Sequence, residues 1–222
     1  SHWALALHWL RKLCDGPLQP DGFSAAAAIR ACEHAGQWPL ALALLQGLGA
    51  LRISADVVVY SSAITTCEKN QQWKMALRIF EQMEEQGVVP NAVTYAACIS
   101  ACGRQSDWRQ ALHLLMSARD AQQFSTIACN ATISACANGH EWQVPLRLLQ
   151  LAPQKTLLTF SSAISACERC AQWQHALGIL EEMQRVLFGD TSVVNLCISA
   201  CVKADQAQMA AQLLRKALPD RS

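Results

Sequence analysis

A chain of 222 residues that is 52% hydrophobic can bury a sizeable core. Its 18 Lys plus Arg nearly cancel 17 Asp plus Glu, leaving a net charge of +1, so no bulk basic signature marks a nucleic-acid partner. No run of 18 apolar residues offers a transmembrane helix, and the start at Ser1 shows no basic, apolar leader, so any targeting peptide is read as removed or never part of this chain.

In chain order, residues 1–21 read as the second half of a helical unit that closes at Pro20-Asp21. Six full units are expected after it, at 22–56, 57–91, 92–125, 126–156, 157–190 and 191–220, the last with the C-terminal end to 222. The unit 57–91 gives the pattern. Tyr60, Ile64 and Cys67 fall at i, i+4 and i+7, one stripe of a helix. The polar run Glu68-Lys69-Asn70-Gln71-Gln72 breaks that pattern. A second stripe runs through Trp73, Ala76, Leu77, Phe80 and Met83, and Gly87 with Pro90 closes the unit. Pro39 and Pro145 fall near the starts of second helices, where a missing N–H costs least.

The units announce themselves by recurrence. Cys32, Cys67, Cys102, Cys136, Cys167 and Cys201 are separated by 35, 35, 34, 31 and 34 residues. Trp38, Trp73, Trp108, Trp142 and Trp173 keep the same step, and the last unit has Ala207 in that place. A disulfide framework or a zinc site has no reason to recur at this interval, so the 11 cysteines are read as reduced, mostly small core residues. With two helices per unit, no alternating strand pattern and no way for one hairpin to bury both faces, the units must stack. The fold expected is all-α, a right-handed α-solenoid of helix hairpins.

Val58-Val59-Tyr60-Ser61-Ser62-Ala63-Ile64 opens a unit, Met83-Glu84-Glu85-Gln86-Gly87-Val88-Val89-Pro90-Asn91 ends it, and Val93-Thr94-Tyr95 opens the next. These segments resemble the pentatricopeptide repeat family from about residue 20 to 220. The 35-residue step, and Ile and Cys where tetratricopeptide repeats want small residues, set the chain apart from that other family. The resemblance implies single-stranded RNA as partner, one base per repeat. It places the chain in a chloroplast or mitochondrion, in RNA processing, stability or translation, with protein partners possible in an RNA-processing complex. It also implies that a unit reads its base with its fifth and last residues. Those pairs are Ser61 with Asn91, Asn130 with Thr156, Ser161 with Asp190 and Asn195 with Asp220, implying adenine, a pyrimidine, guanine and uracil in turn. The pairs Ala26 with Asp56 and Ala96 with Ser125 are weak readers, because Ala cannot hydrogen-bond a base edge.

The residues support an RNA surface on their own account. At about 100° per residue, Val58, Ser61, Thr65 and Lys69 lie roughly opposite the Tyr60 stripe. The equivalents of Lys69 are His34, Arg104, Asn138, Arg169 and Lys203. Stacking lines up Lys69, Arg104, Arg169 and Lys203 as a ribbon suited to phosphates, or as a solvated row beside a turn. The second residues Phe23, Val58, Val93, Ile127 and Leu158 are apolar yet face away from the core stripe. They can wall bases, pack on the preceding unit, or both.

Chemistry is weakly signalled. Cys167-x-x-Cys170 with His175 can be drawn as a zinc site, but Cys167 belongs to the recurring core set, and no metal or other cofactor is expected. His140 is followed directly by Glu141, so the His-x-Glu of deaminase-like tails in the resembled family is missing. The chain reads as a binding module and not an enzyme, the alternative being a tetratricopeptide-like scaffold for protein partners.

Overall fold

A computed structural model of the chain describes residues 21–33, 36–48, 54–186 and 191–217, with residues 4, 5, 8 and 12 singly. The half unit expected at 1–21 therefore lies almost wholly outside the described residues, as do His34, Asp190 and Asp220. Among the described residues there is no strand. The helices are α1 (Gly22–Glu33), α2 (Trp38–Gly47), α3 (Val57–Lys69), α4 (Trp73–Glu85), α5 (Ala92–Arg104) and α6 (Trp108–Asp120). They continue with α7 (Thr126–Asn138), α8 (Gln143–Leu151), α9 (Leu157–Arg169), α10 (Trp173–Val186), α11 (Thr191–Lys203) and α12 (Ala207–Ala217).

Each odd-numbered helix ends in the same way. The residue two beyond its C-cap donates its N–H back to the carbonyl of the recurring cysteine: Gln72 to Cys67 at 2.9 Å, Gln172 to Cys167 at 2.8 Å, Gln206 to Cys201 at 2.8 Å. This is the wide bond of a Schellman ending, and it needs a left-handed residue just before it. Gly36, Gln71, Ser106, His140, Ala171 and Asp205 fill that place with φ between 54° and 66°. The polar run after Cys67 breaks the apolar pattern before it ends the helix: α3 continues to Lys69, the turn is made by Asn70 and Gln71, and the Glu68 carboxylate is largely buried.

Hairpins stack in two layers. Each odd helix packs on the odd helices before and after it, forming one layer, α1·α3·α5·α7·α9·α11. Each even helix packs on its own odd partner and on the odd helix of the next unit. No described helices further apart than neighbouring units touch, so the chain is an α-solenoid. The recurring cysteines and the Tyr60, Ile64 type of stripe fill the space between layers, and the Phe80 and Tyr95 rings meet edge-on at 5.3 Å across two units.

The unit at 126–156 is short, and its loss falls in the even helix: α8 has 9 residues where α4 and α6 have 13. Small residues hold its odd helix close. A Cβ on Gly103 of α5 would lie 2.8 Å from the Ala135 Cβ on α7.

Candidate functional site

The odd-helix layer presents a row of shallow grooves. The apolar second residues stand exposed along it: Phe23, Val58, Val93, Ile127 and Leu158 keep from 45% to 77% of their surface. Packing on the preceding unit therefore does not hide them, and each is free to offer an apolar wall to solvent or ligand.

One groove of about 450 Å³ lies between α3 and its neighbours and includes Val58, Ser61, Asn91 and Val93. Its polar groups are pre-arranged. Ser61 Oγ donates to the Val57 carbonyl and lies 3.2 Å from Thr94 Oγ1. Thr94 donates both its N–H and its hydroxyl to Asn91 Oδ1, each at 2.9 Å. That spends the Asn91 carbonyl oxygen and leaves its Nδ2 as a donor on the groove that Ser61 Oγ, an acceptor, also lines.

A second groove, about 380 Å³, includes Ala96, Arg104, Ile127, Asn130 and Leu158. Asn130 is 7% exposed and its Oδ1 is buried with no partner. Such an atom costs free energy until a donor reaches it. Ala26 and Ala96, the two non-polar fifth residues, are buried. Ser161 donates to the Leu158 carbonyl at 3.1 Å, and Asn195 is exposed.

The closing residues of the units carry a structural task that the sequence reading did not assign. Asp56 accepts the N–H groups of Val58 and Val59 at 3.0 Å, Ser125 accepts from Ala128 at 3.2 Å, and Thr156 forms a capping box with Thr159. With Asn91 they are the N-caps of α3, α5, α7 and α9.

The basic ribbon is mostly paired. Glu33 holds Lys69, Glu68 holds Arg104 at 2.7 Å, and Glu168 holds Lys203 at 2.7 Å. The reading of Lys69, Arg104 and Lys203 as open phosphate contacts overlooked these carboxylates. The signal was present as Glu68-Lys69 and Glu168-Arg169 at equivalent places. Burial pushes the Glu168 carboxyl up, but hydrogen bonds from Lys203 and Ser199 outweigh it and hold the group below its ordinary value.

The described cysteines of the recurring set are buried, and burial pushes Cys136 and Cys167 up to about 12. Among the described residues no group of three or more His, Cys, Asp or Glu is placed to hold a metal ion, and no helix is long and apolar enough to cross a membrane.

The PPR repeat family model matches residues 55–104, and the PPR repeat model matches residues 93–120 and 158–186. The chain carries pentatricopeptide repeats. No curated protein matches it. The crystal structure of the pentatricopeptide repeat protein PPR10 from maize is similar in fold, with a TM-score of 0.59 at 15% identity over 96% of this chain and 36% of that one. PPR10 in complex with an 18-nt psaJ RNA element superposes better, with a TM-score of 0.69 at 14% identity over 96% of this chain and 37% of that one. This pentatricopeptide repeat chain thus spans a little over a third of the length of those structures, and the likeness at such identity is one of fold.

Proposed function

We propose that the chain binds single-stranded RNA with sequence selectivity, one base per repeat, and serves RNA processing, stability or translation in a chloroplast or mitochondrion. It acts as a binding module, its chemistry supplied by partners in an RNA-processing complex. One observation carries this reading: exposed apolar residues recur at the same place in successive odd helices and flank grooves floored by polar groups. A splayed base fits such a slot, its faces against aliphatic walls and its edge toward hydrogen-bonding groups. PPR10, of the same fold, has been crystallised with an RNA element, which supports the partner's chemical class.

In the groove at Ser61 and Asn91 a base would be chosen by its edge. A donor at Asn91 Nδ2 and an acceptor at Ser61 Oγ complement a base edge that offers a ring nitrogen and an amino group. With Nδ2 toward the ring position and Oγ toward the exocyclic group, adenine and cytosine fit, whereas guanine and uracil would set an N–H against the donor and a carbonyl against the acceptor. The family resemblance selects adenine of the two. In the next polar unit Asn130 with Thr156 forms a pyrimidine-preferring pair. Ser161 with Asp190 takes guanine and Asn195 with Asp220 takes uracil, while the Ala26 and Ala96 units discriminate little.

The test is Asn91→Asp. It replaces the Nδ2 donor by an acceptor, while a carboxylate still caps α5 through the Thr94 N–H. Competition binding with RNAs differing at the base opposite this unit should show preference moving from adenine toward guanine, with the other positions unchanged. A wrong base leaves polar groups unpaired and should cost roughly 1–3 kcal/mol. Equal affinity for both bases before and after the exchange would refute the pairing.

A further inference from the structure

The four cations of the ribbon are not equivalent, and the difference follows a register. In each unit the residue before the cation faces the cation of the next unit. Three times that residue is a carboxylate: Glu33 opposite Lys69, Glu68 opposite Arg104 and Glu168 opposite Lys203. Two of these are three-part staples, because a serine one turn before the cation donates to the same carboxylate: Ser100 to Glu68 at 2.9 Å and Ser199 to Glu168 at 2.7 Å. The carboxylates are nearly buried, with 8–12% of the Glu33, Glu68 and Glu168 side chains exposed. Once the carboxylate is replaced by Gly103, and there the opposing residue is neutral as well: Asn138 donates to the Gly103 carbonyl at 2.9 Å. Neutral meets neutral, and acid meets base.

The register fails at one step. The residue before Asn138 is Ala137, and the cation of the next unit is Arg169. Arg169 is exposed, and no carboxylate of a neighbouring unit pairs with it among the described residues; it acts on Glu168, the residue before it, only through space, and that carboxylate is held by Lys203. It lines a groove of about 300 Å³ together with Asn138 and the hydroxyls of Ser134, Ser161, Ser162 and Ser165. Ser134 and Ser162 are themselves joined at 3.4 Å across two units. A guanidinium beside hydroxyls and an amide is a donor-rich site for phosphate oxygens, which Arg can grip with two parallel bonds. Arg30 also faces the odd-helix grooves, but it lines the same groove as the Glu33 carboxylate, one turn away on α1.

We infer that phosphate contact is concentrated at Arg169 and its serine and asparagine neighbours, and that Glu33, Glu68 and Glu168 withhold Lys69, Arg104 and Lys203 as staples between units. The inference takes the identity of the ligand from the RNA reading, whereas the preference of this site for phosphate oxygens rests on its own side chains. Few counterions are then released on binding, so affinity depends weakly on salt and more on the bases.

The test uses the full chain with two probes, an RNA oligonucleotide carrying the expected core (A, any base, pyrimidine, G, U) and inorganic tripolyphosphate. Arg169→Gln should lower RNA affinity roughly tenfold, as losing a charged hydrogen-bond partner does. It should also flatten the slope of log affinity against log salt by roughly 0.7, the single-strand value per contact, with the melting temperature unchanged. Lys203→Gln should lower the melting temperature and cost clearly less affinity. Glu168→Gln keeps an oxygen for Ser199 but frees Lys203, and should steepen the slope by roughly 0.7. Equal affinity losses for Arg169→Gln and Lys203→Gln, or an unaltered slope for Glu168→Gln, overturn the inference. Should the wild-type chain bind no RNA, the RNA reading falls and tripolyphosphate decides the site. Arginine side-chain NMR signals should then shift for Arg169 well ahead of Arg104, and equal shifts overturn the inference.

Discussion

Glu168 shows how much one side chain can hide from a reading of hydropathy. It sits in a polar stretch, Glu168-Arg169-Cys170, that looks like the start of a turn, yet it is the next-to-last residue of α9 and almost buried. Its partners, Ser199 and Lys203, come from the following unit, a contact no local pattern announces. Recurrence of an acid directly before a base, at Glu68-Lys69 and again here, was the available clue. The pairing has a pH consequence. A carboxyl held below its ordinary value in the folded chain contributes stability above the usual carboxylate range and loses it as the pH falls through the lowered folded value. Wild type should therefore be more stable than Glu168→Gln at neutral pH, and the gap should close below about pH 4. Urea melts of both chains between pH 7 and pH 3 measure it. A gap that stays constant would mean that the carboxylate charge plays no part.

At the scale of the helix, existence and type were legible and the job of the ends was not. Stripes at i, i+4 and i+7 with a Gly or Pro after them marked the hairpins, because burial of one face dictates that spacing. The closing residues Asp56, Asn91, Ser125 and Thr156 drew attention as base readers, although Asp, Asn, Ser or Thr before an apolar run is also how a helix begins. In the structure they begin helices. The two roles are compatible where a side chain keeps a group to spare, as the Asn91 amide does. Asp56 divides in the same way, its Oδ1 taken by the N–H groups of Val58 and Val59 and its Oδ2 capping neither. Asp56→Ala should then destabilise the chain by about 1 kcal/mol through the lost cap, and Asp56→Asn by much less. Chemical denaturation midpoints compare them, and equal losses for the two variants would show that the cap is not what Asp56 contributes.

Over the whole molecule the fold was readable because it is written six times. A step that recurs in cysteines, tryptophans and unit starts can be satisfied only by stacking like on like. The register of charges between units was not readable, because it depends on which residues of α7 and α9 face each other across the shortened unit. The described helices touch only those of neighbouring units, so stability adds along the chain from each hairpin and its two interfaces. Such a chain opens by pieces, the middle being held on both sides and the ends on one.

The column of buried thiols makes those pieces individually visible. Cys32, Cys67, Cys102, Cys136, Cys167 and Cys201 each sit in one unit at the same depth, inaccessible and, where burial has pushed the thiol up to about 12, almost without thiolate at neutral pH. An alkylating reagent can reach each only when its own unit lets go. Under mild denaturant, with peptides counted by mass spectrometry, half-buried Cys170 should be alkylated first, Cys32 and Cys201 next, and Cys102 and Cys136 last. Simultaneous labelling of all six would mean that the array unfolds as one block. The chain thus carries a clock in each of these units, and the order in which the clocks start gives the free-energy profile of the solenoid without any engineered label.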